Sequence, residues 1–353
     1  MKTHIHLFIV VVAVSSIFTA CKKDPPRVPD TNNSNNNTPL PTSLSGVFIS
    51  NEGNYTWGNG TVSFYNTSTG ELEEDLFNKV NNRPLGDVAQ SMCVFKGKGY
   101  IIVNNSGKIE IVNPSDFKSI GVINNLTSPR YFLGINSQKA YVTDLFSNAI
   151  SVIDLNTNTR IGSIPCPGWT EELMLINGKA FVSNIQKSYL YIVNTIDDAI
   201  EDSINVGLGS NSMVVDKNGK LWVLSGGDSN QQIPGSLHRI NPNNKQIELS
   251  LTFPHNNFPR KLSINNTEEI LYFLNKGVHK MLITDNNLPL LPFIPENNYL
   301  FYGLDVDPNT GIIYVADAID YLQKGWIFRY KSEDAAKIDS FRAGIAPGDF
   351  LFN

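Results

Sequence analysis

Aromatic and amide side chains recur in this sequence beside short apolar runs, and their chemistry points to ligand binding. Aromatic rings offer rigid contact area at a low cost in conformational entropy, and amides both donate and accept hydrogen bonds. Together they suit a large polar organic ligand that is bound without being transformed. We predict contacts from Tyr55, Trp57, Gln90, Asn105, Phe146, Trp169, Asn184, Asn211, Gln232, Arg260, Tyr302 and Tyr321.

The aromatic candidates carry more weight than the amides. Asn and Asp are the ordinary residues of tight turns, so a local role in a turn is the alternative for each amide. Trp57 and Tyr55 lie in the Gly-rich interval 52–60, which is longer than a hairpin needs. An exposed aromatic pair in such a loop favours a contact with a ligand.

Catalysis has little support in the sequence. After residue 6 no two histidines have the spacing of metal ligands; the three are His238, His255 and His279. No Gly-x-Ser-x-Gly elbow and no phosphate-binding glycine loop is present. We therefore predict no enzyme activity, no metal and no cofactor.

Composition limits the partners. The 353 residues carry a net charge of -5, from 28 basic and 33 acidic residues, so a nucleic-acid footprint of clustered Lys and Arg is absent. The three cysteines are too few for a disulfide scaffold. We expect a fold that is stabilised by packing.

The N-terminus has the pattern of an exported lipoprotein. Residues 1–20 combine a basic start with an apolar run and read as a signal peptide. Cys21 ends a lipobox-like segment and is the predicted site of lipidation, which would anchor the protein in a bilayer. Residues 21–44 are rich in Pro, Asn, Ser and Thr and read as a disordered tether. We expect an outer-membrane location, with the folded part facing the cell exterior.

An internal repeat predicts the fold. Short pairs of alternating apolar runs recur, and their marker residues lie 41, 40, 40, 49, 42 and 46 residues apart: Met92, Leu133, Leu173, Met213, Leu262, Leu304 and Phe350. One unit has room for four strands, at 131–135, 140–143, 149–154 and 159–164. Four strands every ~40–45 residues is the spacing of a β-propeller blade. Residues 45–353 therefore predict an all-β, seven-bladed propeller of four-stranded antiparallel blades.

The chain ends are predicted to share one blade. Residues 347–352 have the pattern of a lone first strand, and residues 46–50, 61–66 and 71–77 would supply its three partners. Pairing the two ends would remove the open edges of the ring.

Two segments resemble a known family. Residues 140–157, AYVTDLFSNAISVIDLNT, resemble the "YVTN" repeat of surface-layer-type seven-bladed propellers. Residues 50–63, SNEGNYTWGNGTVS, are similar to the first blade of a lipoprotein branch, some members of which capture vitamin B12 on a TonB-dependent transporter. This resemblance implies a cobalamin-type corrinoid as ligand, such a transporter as partner, and Arg260 as the residue that meets the ligand's phosphate.

Two other functions remain open at this stage. The first is protein–protein interaction or adhesion, for which a broad polar face would suffice. The second is a hydrolase or lyase that uses Glu52, Glu171 or Asp228 as acid or base. Aromatics converging from several blades would favour the corrinoid, and two close carboxylates with perturbed pKa values would favour the enzyme.

Overall fold

A computed structural model describes residues 46–353, and these form seven four-stranded antiparallel sheets. The elements of the first three blades are, in chain order, β1 (Gly46–Asn51), β2 (Thr61–Asn66), β3 (Leu72–Glu73), α1 (Leu76–Asn81), β4 (Ala89–Phe95), β5 (Lys98–Val103), β6 (Lys108–Val112), β7 (Ser119–Ile123), β8 (Pro129–Gly134), β9 (Lys139–Asp144), β10 (Ala149–Asp154) and β11 (Thr159–Pro165). The predicted signal peptide, lipidation site and tether lie outside the described residues.

The remaining blades continue in the same manner. Their strands are β12 (Thr170–Ile176), β13 (Lys179–Asn184), β14 (Tyr189–Asn194), β15 (Ala199–Asn205), β16 (Ser210–Val215), β17 (Leu221–Ser225), β18 (Ser236–Asn241), β19 (Gln246–Thr252), β20 (Arg260–Ile264), β21 (Ile270–Leu274), β22 (Gly277–Leu282), β23 (Ile294–Pro295), β24 (Phe301–Val306), β25 (Ile313–Asp317), β26 (Lys324–Tyr330), β27 (Lys337–Ile345) and β28 (Pro347–Phe352).

The blades form a ring around a central channel. Blade 1 has the order β28-β1-β2-β3, and blades 2 to 7 each take four consecutive strands from β4 onward. The first strands of neighbouring blades contact one another around the ring, from β4 to β28 and back to β4. The predicted seven-bladed propeller is therefore confirmed, and within the third repeat the strands lie within two residues of the predicted bounds.

The shared blade closes the ring as predicted. Strand β28 pairs antiparallel with β1, and Ile49 lies opposite Phe350 in the register. Strand β1 in turn pairs with β2. Both ends of the described chain thereby contribute to one sheet, and β28 supplies the fourth strand that completes blade 1.

The outer part of blade 1 differs from the prediction of a strand over residues 71–77. Only Leu72–Glu73 is extended, and the helix α1 begins at Leu76. Leu76 and Phe77 are both fully buried, in one cluster with Phe48 and Phe117. Consecutive residues of a strand point to opposite faces of its sheet, so a helical turn is needed to bury both side chains together.

Apolar clusters between neighbouring blades form the core. One cluster joins blades 2 and 3, where the ring of Tyr100 stacks on that of Phe132 with centroids 4.2 Å apart. In blade 5 the fully buried Trp222 satisfies its indole by donating a 2.8 Å hydrogen bond to Asp216 Oδ2. No helix in residues 46–353 is long and apolar enough to span a membrane.

Side-chain hydrogen bonds link the innermost strands around the channel. The carboxylates of Asp349 and Glu172 accept from the backbone of the next blade, and hydroxyl groups join other blade pairs. The contacts are Met92 N to Asp349 Oδ2 (3.3 Å), Met213 N to Glu172 Oε2 (2.9 Å), Leu262 N to Ser212 Oγ (2.8 Å), Ser91 Oγ to the carbonyl of Arg130 (2.7 Å) and Ser263 Oγ to Asp305 Oδ1 (2.7 Å).

Candidate functional site

A β-bulge near the start of each innermost strand of blades 2 to 7 brings polar residues to one end of the channel. In blade 3 the register moves from Pro129 to Phe132 while the partner strand advances from Asp144 to Val142. A bulge of this kind redirects side chains away from the regular ladder. The residues within the six bulges are Gln90; Arg130 and Tyr131; Glu171 and Glu172; Asn211; Lys261 and Leu262; and Tyr302.

Arg130 is the centre of a polar network at this end of the channel, which we call the mouth. Its guanidinium donates to both carboxylate oxygens of Glu171, at 2.8 and 2.6 Å, and to Gln90 Oε1. It also lies over the ring of Trp169, 5.1 Å from the centroid. Burial by itself lowers the pKa of Arg130, but the charge and hydrogen bonds of Glu171, together with the charges of Tyr131 and Glu52, outweigh burial and raise it. The cation is therefore held permanently charged.

A second polar group joins the last blade to the first. Tyr302 donates a 2.7 Å hydrogen bond to Glu52 Oε1, and its ring meets that of Tyr321 edge to face, with centroids 5.2 Å apart. Burial raises the pKa of Glu52, although the Tyr302 hydrogen bond and the charge of Arg130 oppose the shift. Glu171 adds to the rise. The mouth thus holds two carboxylates: Glu171 is hydrogen-bonded to Arg130, and Glu52 is influenced by the charge of the same arginine.

Arg260 is directed to a small cleft beside the mouth. Its Nη2 donates to the carbonyl of Phe301 at 2.5 Å, and its guanidinium lies 5.8 Å from the centroid of Tyr302. The cleft measures about 190 Å³ and is also lined by Lys276 and Asn256. Among the described residues neither Arg260 nor Lys276 forms an ion pair, in contrast to the paired Arg130. Glu296 also lines the cleft, and its Oε1 accepts from the backbone N–H of Phe301, so the cleft presents two cations that form no ion pair with its one carboxylate.

Exposed aromatics surround the mouth on the loops between second and third strands. Tyr55 and Trp57 in blade 1 are 66% and 77% exposed, and Phe146 in blade 3 is 66% exposed. Tyr321 in blade 7 is 39% exposed, and its carbonyl accepts a 2.8 Å hydrogen bond from Asn54 Nδ2. This bond brings the aromatic loops of blades 1 and 7 together.

A larger cleft of about 520 Å³ opens between blades 4 and 5. Trp169 and Asn211, two of the predicted residues, line it together with Phe258. Asn211 uses its amide within the protein, since Nδ2 donates to the carbonyl of Pro259 at 3.0 Å and Oδ1 accepts from Ser212 at 2.7 Å.

Several predicted amides are occupied by the fold. Asn184 is fully buried and donates to the carbonyl of Pro167, while its Oδ1 accepts from the backbone of Gln186. Gln90 is buried against Arg130. Asn105 donates to Asp87 at 3.3 Å. These side chains shape the loops of the mouth.

Gln232 lies in the long loop of blade 5, away from the central network. Its backbone has a φ of 56°, and its Nε2 donates to the carbonyl of Ser229 at 2.6 Å. The side chain is exposed and stabilises the turn that it belongs to.

The sequence reasoning missed Arg130, Phe258 and Lys276. In the repeat pattern, Tyr131 is the residue expected at the start of the innermost strand, and Arg130 directly precedes it. The bulge between Pro129 and Phe132 brings both residues to the channel. Lys276 follows the second strand of blade 6, where a search of the loop positions for cations as well as aromatics would have identified it.

Comparisons with known proteins agree with the fold. No curated protein matches the sequence. A quinonprotein alcohol dehydrogenase-like protein from Bacteroides thetaiotaomicron is 18% identical, with a TM-score of 0.69 over 88% of this chain and 78% of that chain. A periplasmic gluconolactonase from Pseudomonas aeruginosa is 11% identical, with a TM-score of 0.65 over 88% of this chain and 99% of that chain. At these identities the likeness shows the fold alone.

A third solved structure, a protein from Lactobacillus plantarum, is 11% identical, with a TM-score of 0.68 over 88% of this chain and all of that chain (100%). The sequence itself gives the family. The model described as "Domain of unknown function (DUF5074)" matches residues 45–344, and the chain therefore belongs to this family.

Proposed function

We propose that this protein is a lipid-anchored surface lipoprotein that binds a corrinoid such as cobalamin and passes it, unchanged, to a TonB-dependent transporter of the outer membrane. The observation that carries the proposal is the combination, on one face, of exposed aromatics from blades 1, 3 and 7 with the unpaired cations of the small cleft. Anchoring through Cys21 would hold this face at the cell surface.

The aromatic rim supports the binding of a broad ligand. Tyr55, Trp57 and Phe146 each leave most of their surface in water, which is costly unless a partner covers them. Covering one such ring contributes roughly 1.5–3 kcal/mol. Three rings on separate loops would together contribute roughly 4.5–9 kcal/mol, and the upper end of this range reaches the roughly 8 kcal/mol of micromolar binding.

The small cleft supports an anionic end on the same ligand. Arg260 already donates one N–H to Phe301, which fixes its guanidinium and leaves further donors directed to the cleft. A fixed guanidinium binds phosphate through parallel hydrogen bonds, and Lys276 adds a second charge. Cobalamin carries one phosphate in its nucleotide loop, whereas cobinamide lacks that loop.

The test is calorimetric titration of the purified protein with cyanocobalamin and with dicyanocobinamide. We expect saturable one-to-one binding of cyanocobalamin and weaker binding of cobinamide, since cobinamide has no group for the small cleft. Absence of binding of both corrinoids at about 100 μM, a concentration that detects affinities near 5 kcal/mol, would overturn the proposal.

A hydrolase is the second candidate, because the mouth holds a carboxylate pair. Glu52 has a raised pKa and lies near Glu171 and Arg130, an arrangement that is suited to proton transfer beside a stabilising cation. The gluconolactonase with the same fold makes glucono-δ-lactone the natural substrate to try. Hydrolysis above the spontaneous rate, lost in Glu52→Gln, would favour this function over simple capture.

A further inference from the structure

The 520 Å³ cleft between blades 4 and 5 opens beside the mouth and its small cationic cleft. Its volume lies within the range of sites for small organic ligands. Phe258 lines both clefts and forms the boundary between them. The larger cleft uses no residue of the exposed aromatic rim, so it is not part of the corrinoid contact surface proposed above.

The charges of the cleft exclude an anionic ligand. Its lining contains no Lys or Arg, and Asp228 is the one charged side chain in it. Oδ2 of Asp228 accepts from Gln231 Nε2 at 2.6 Å, and Oδ1 accepts backbone N–H groups of its own loop. The neighbouring cations are engaged elsewhere, Arg130 with Glu171 and Arg260 at the small cleft.

Neutral hydrogen-bonding groups line the same space. The side chains of Gln186, Ser229 and Asn230 form no hydrogen bond within the described part of the protein, and they face a cleft that is open to solvent. Together they offer two amides and one hydroxyl, each able to donate and accept. Hydrogen bonds from groups of this kind match the hydroxyls of a polyol.

Trp169 and Phe258 add aromatic surface to the polar lining. The Trp169 indole donates to Glu171 Oε2 at 2.5 Å, and Arg130 lies over its ring, so the orientation of the ring is fixed before a ligand arrives. A preorganised ring loses little entropy when it stacks on an apolar ligand face. The C–H face of a pyranose is such a surface.

The floor of the cleft is a rigid pair of loops. Gly226 N donates to the carbonyl of Gly209 at 2.8 Å, and Gly227 N donates to the carbonyl of Leu208 at 2.9 Å. A Cβ on Gly209 would lie 2.6 Å from the carbonyl oxygen of Gly227, so only glycine allows this close approach. The cleft is therefore formed in the absence of ligand.

From these features we propose that the cleft between blades 4 and 5 binds a neutral saccharide, with a pyranose ring stacked on Trp169 and its hydroxyls bonded by Gln186 and Asn230. The protein would then recognise a glycan at a site distinct from its corrinoid site. This assignment does not depend on the proposed function, because Gln186 and Asn230, which would bond the saccharide, are not among the residues proposed to contact the corrinoid.

The test is saturation-transfer NMR of the purified protein with maltotetraose, cellotetraose, xylotetraose and mannotetraose, and with tetragalacturonate as the charged comparison. We expect transfer from at least one neutral tetraose at about 5 mM, with contacts to the pyranose C–H protons, and none from tetragalacturonate. No transfer from any neutral tetraose, or stronger transfer from tetragalacturonate, would overturn the assignment.

Variants locate the binding. Gln186→Ala combined with Asn230→Ala should weaken the binding of the neutral tetraose by about five-fold or more. The fold should stay intact, because both side chains are exposed and form no hydrogen bond within the described part of the protein. Tyr189→Ala, an exposed aromatic of blade 4 outside the cleft, is the matched control. Equal binding by the double variant and the control would overturn the assignment even if a sugar binds. The cyanocobalamin titration fails or succeeds independently, since it reports on other residues.

Discussion

The hydroxyl of Tyr302 donates a 2.7 Å hydrogen bond to the carboxylate of Glu52, and these residues are separated by 250 positions in the chain. The bond joins the innermost strand of blade 7 to the first loop of blade 1. It therefore couples the closure of the ring to the protonation of a carboxylate at the mouth. The same bond opposes the rise in the pKa of Glu52 that burial causes.

Tyr302→Phe should destabilise the protein in a pH-dependent manner. The carboxylate of Glu52 would lose its hydrogen-bond donor, which should cost about 1–3 kcal/mol of unfolding free energy at pH 7.5. Loss of the donor should raise the pKa of Glu52 further, so the cost should be smaller at pH 5 than at pH 7.5. Urea unfolding at both pH values measures the difference. An equal loss at pH 5 and pH 7.5 would show that the hydroxyl acts by packing alone.

Glu172→Gln should stabilise the protein at alkaline pH. Burial raises the pKa of Glu172 to about 8, and Asp349 and Glu171 add to the rise while Lys261 opposes it. Below the unfolded pKa near 4.5, Glu172 is protonated in both the folded and the unfolded state and costs no stability. As the pH rises from there to about 8, the unfolded state ionises more readily, and the folded protein loses stability. Glutamine still accepts from Met213 N and carries no charge.

The expected gain is about 2 kcal/mol at pH 9 and close to zero at pH 4, because a pKa shift of one unit corresponds to about 1.4 kcal/mol and the partial exposure of Glu172 reduces the full value. Thermal melts of wild type and variant from pH 4 to 9 measure it. Glu71→Gln, in an exposed turn, is the control and should show no such trend. A variant that is less stable than wild type at pH 9 would contradict the prediction.

Arg130→Met should cost about 3–5 kcal/mol of unfolding free energy, since it leaves the buried carboxylate of Glu171 without its bidentate partner. The pair Lys217–Glu269 is exposed and provides the comparison. Lys217→Met should cost less than about 1 kcal/mol. Denaturant unfolding of both variants gives the two values. If both variants lost less than about 1 kcal/mol of unfolding free energy, the charges of the mouth network would be screened by solvent.

Phe350→Ala tests the closure of the ring. Phe350 is buried in β28, lies opposite Ile49 and contacts Tyr314 with ring centroids 5.8 Å apart. The truncation should cost about 3–5 kcal/mol and increase amide exchange first in β1 and β28. Ile196→Ala, at an exposed site, should change neither quantity. Protection that is unchanged in β1 would mean that the two chain ends do not hold the ring together.

Trp57→Ala should weaken the binding of cyanocobalamin by about ten-fold or more and the binding of cobinamide by the same factor, since the indole would contact the macrocycle that both corrinoids share. Arg260→Ala should weaken cyanocobalamin by a similar factor and leave cobinamide unchanged, because only cyanocobalamin carries the phosphate. Calorimetry with the two ligands separates the two effects. If Arg260→Ala weakened the binding of both ligands by the same factor, Arg260 would not bind the phosphate of cyanocobalamin.

Much of the fold could be predicted from the repeat. The markers from Met92 to Phe350 all lie on innermost strands, because a period near 40 residues and alternating apolar patterns allow few architectures. The helix at Leu76 was not predicted, since two consecutive apolar residues fit either a buried strand or a helical turn. The choice between them depends on Phe48 and Phe117, which are distant in sequence.

By itself the sequence determined the number of blades, the closure by residues 347–352 and the loops that carry the exposed aromatics. Only the tertiary structure decided which polar groups remain free for a ligand. The side-chain amides of Asn184 and Asn211 are hydrogen-bonded within the protein, whereas those of Gln186 and Asn230 are not, although all four lie at the same face of the ring. The physical reason is that periodicity reports which face of a strand is buried, while bulges and contacts between blades decide where each polar side chain finds its partner.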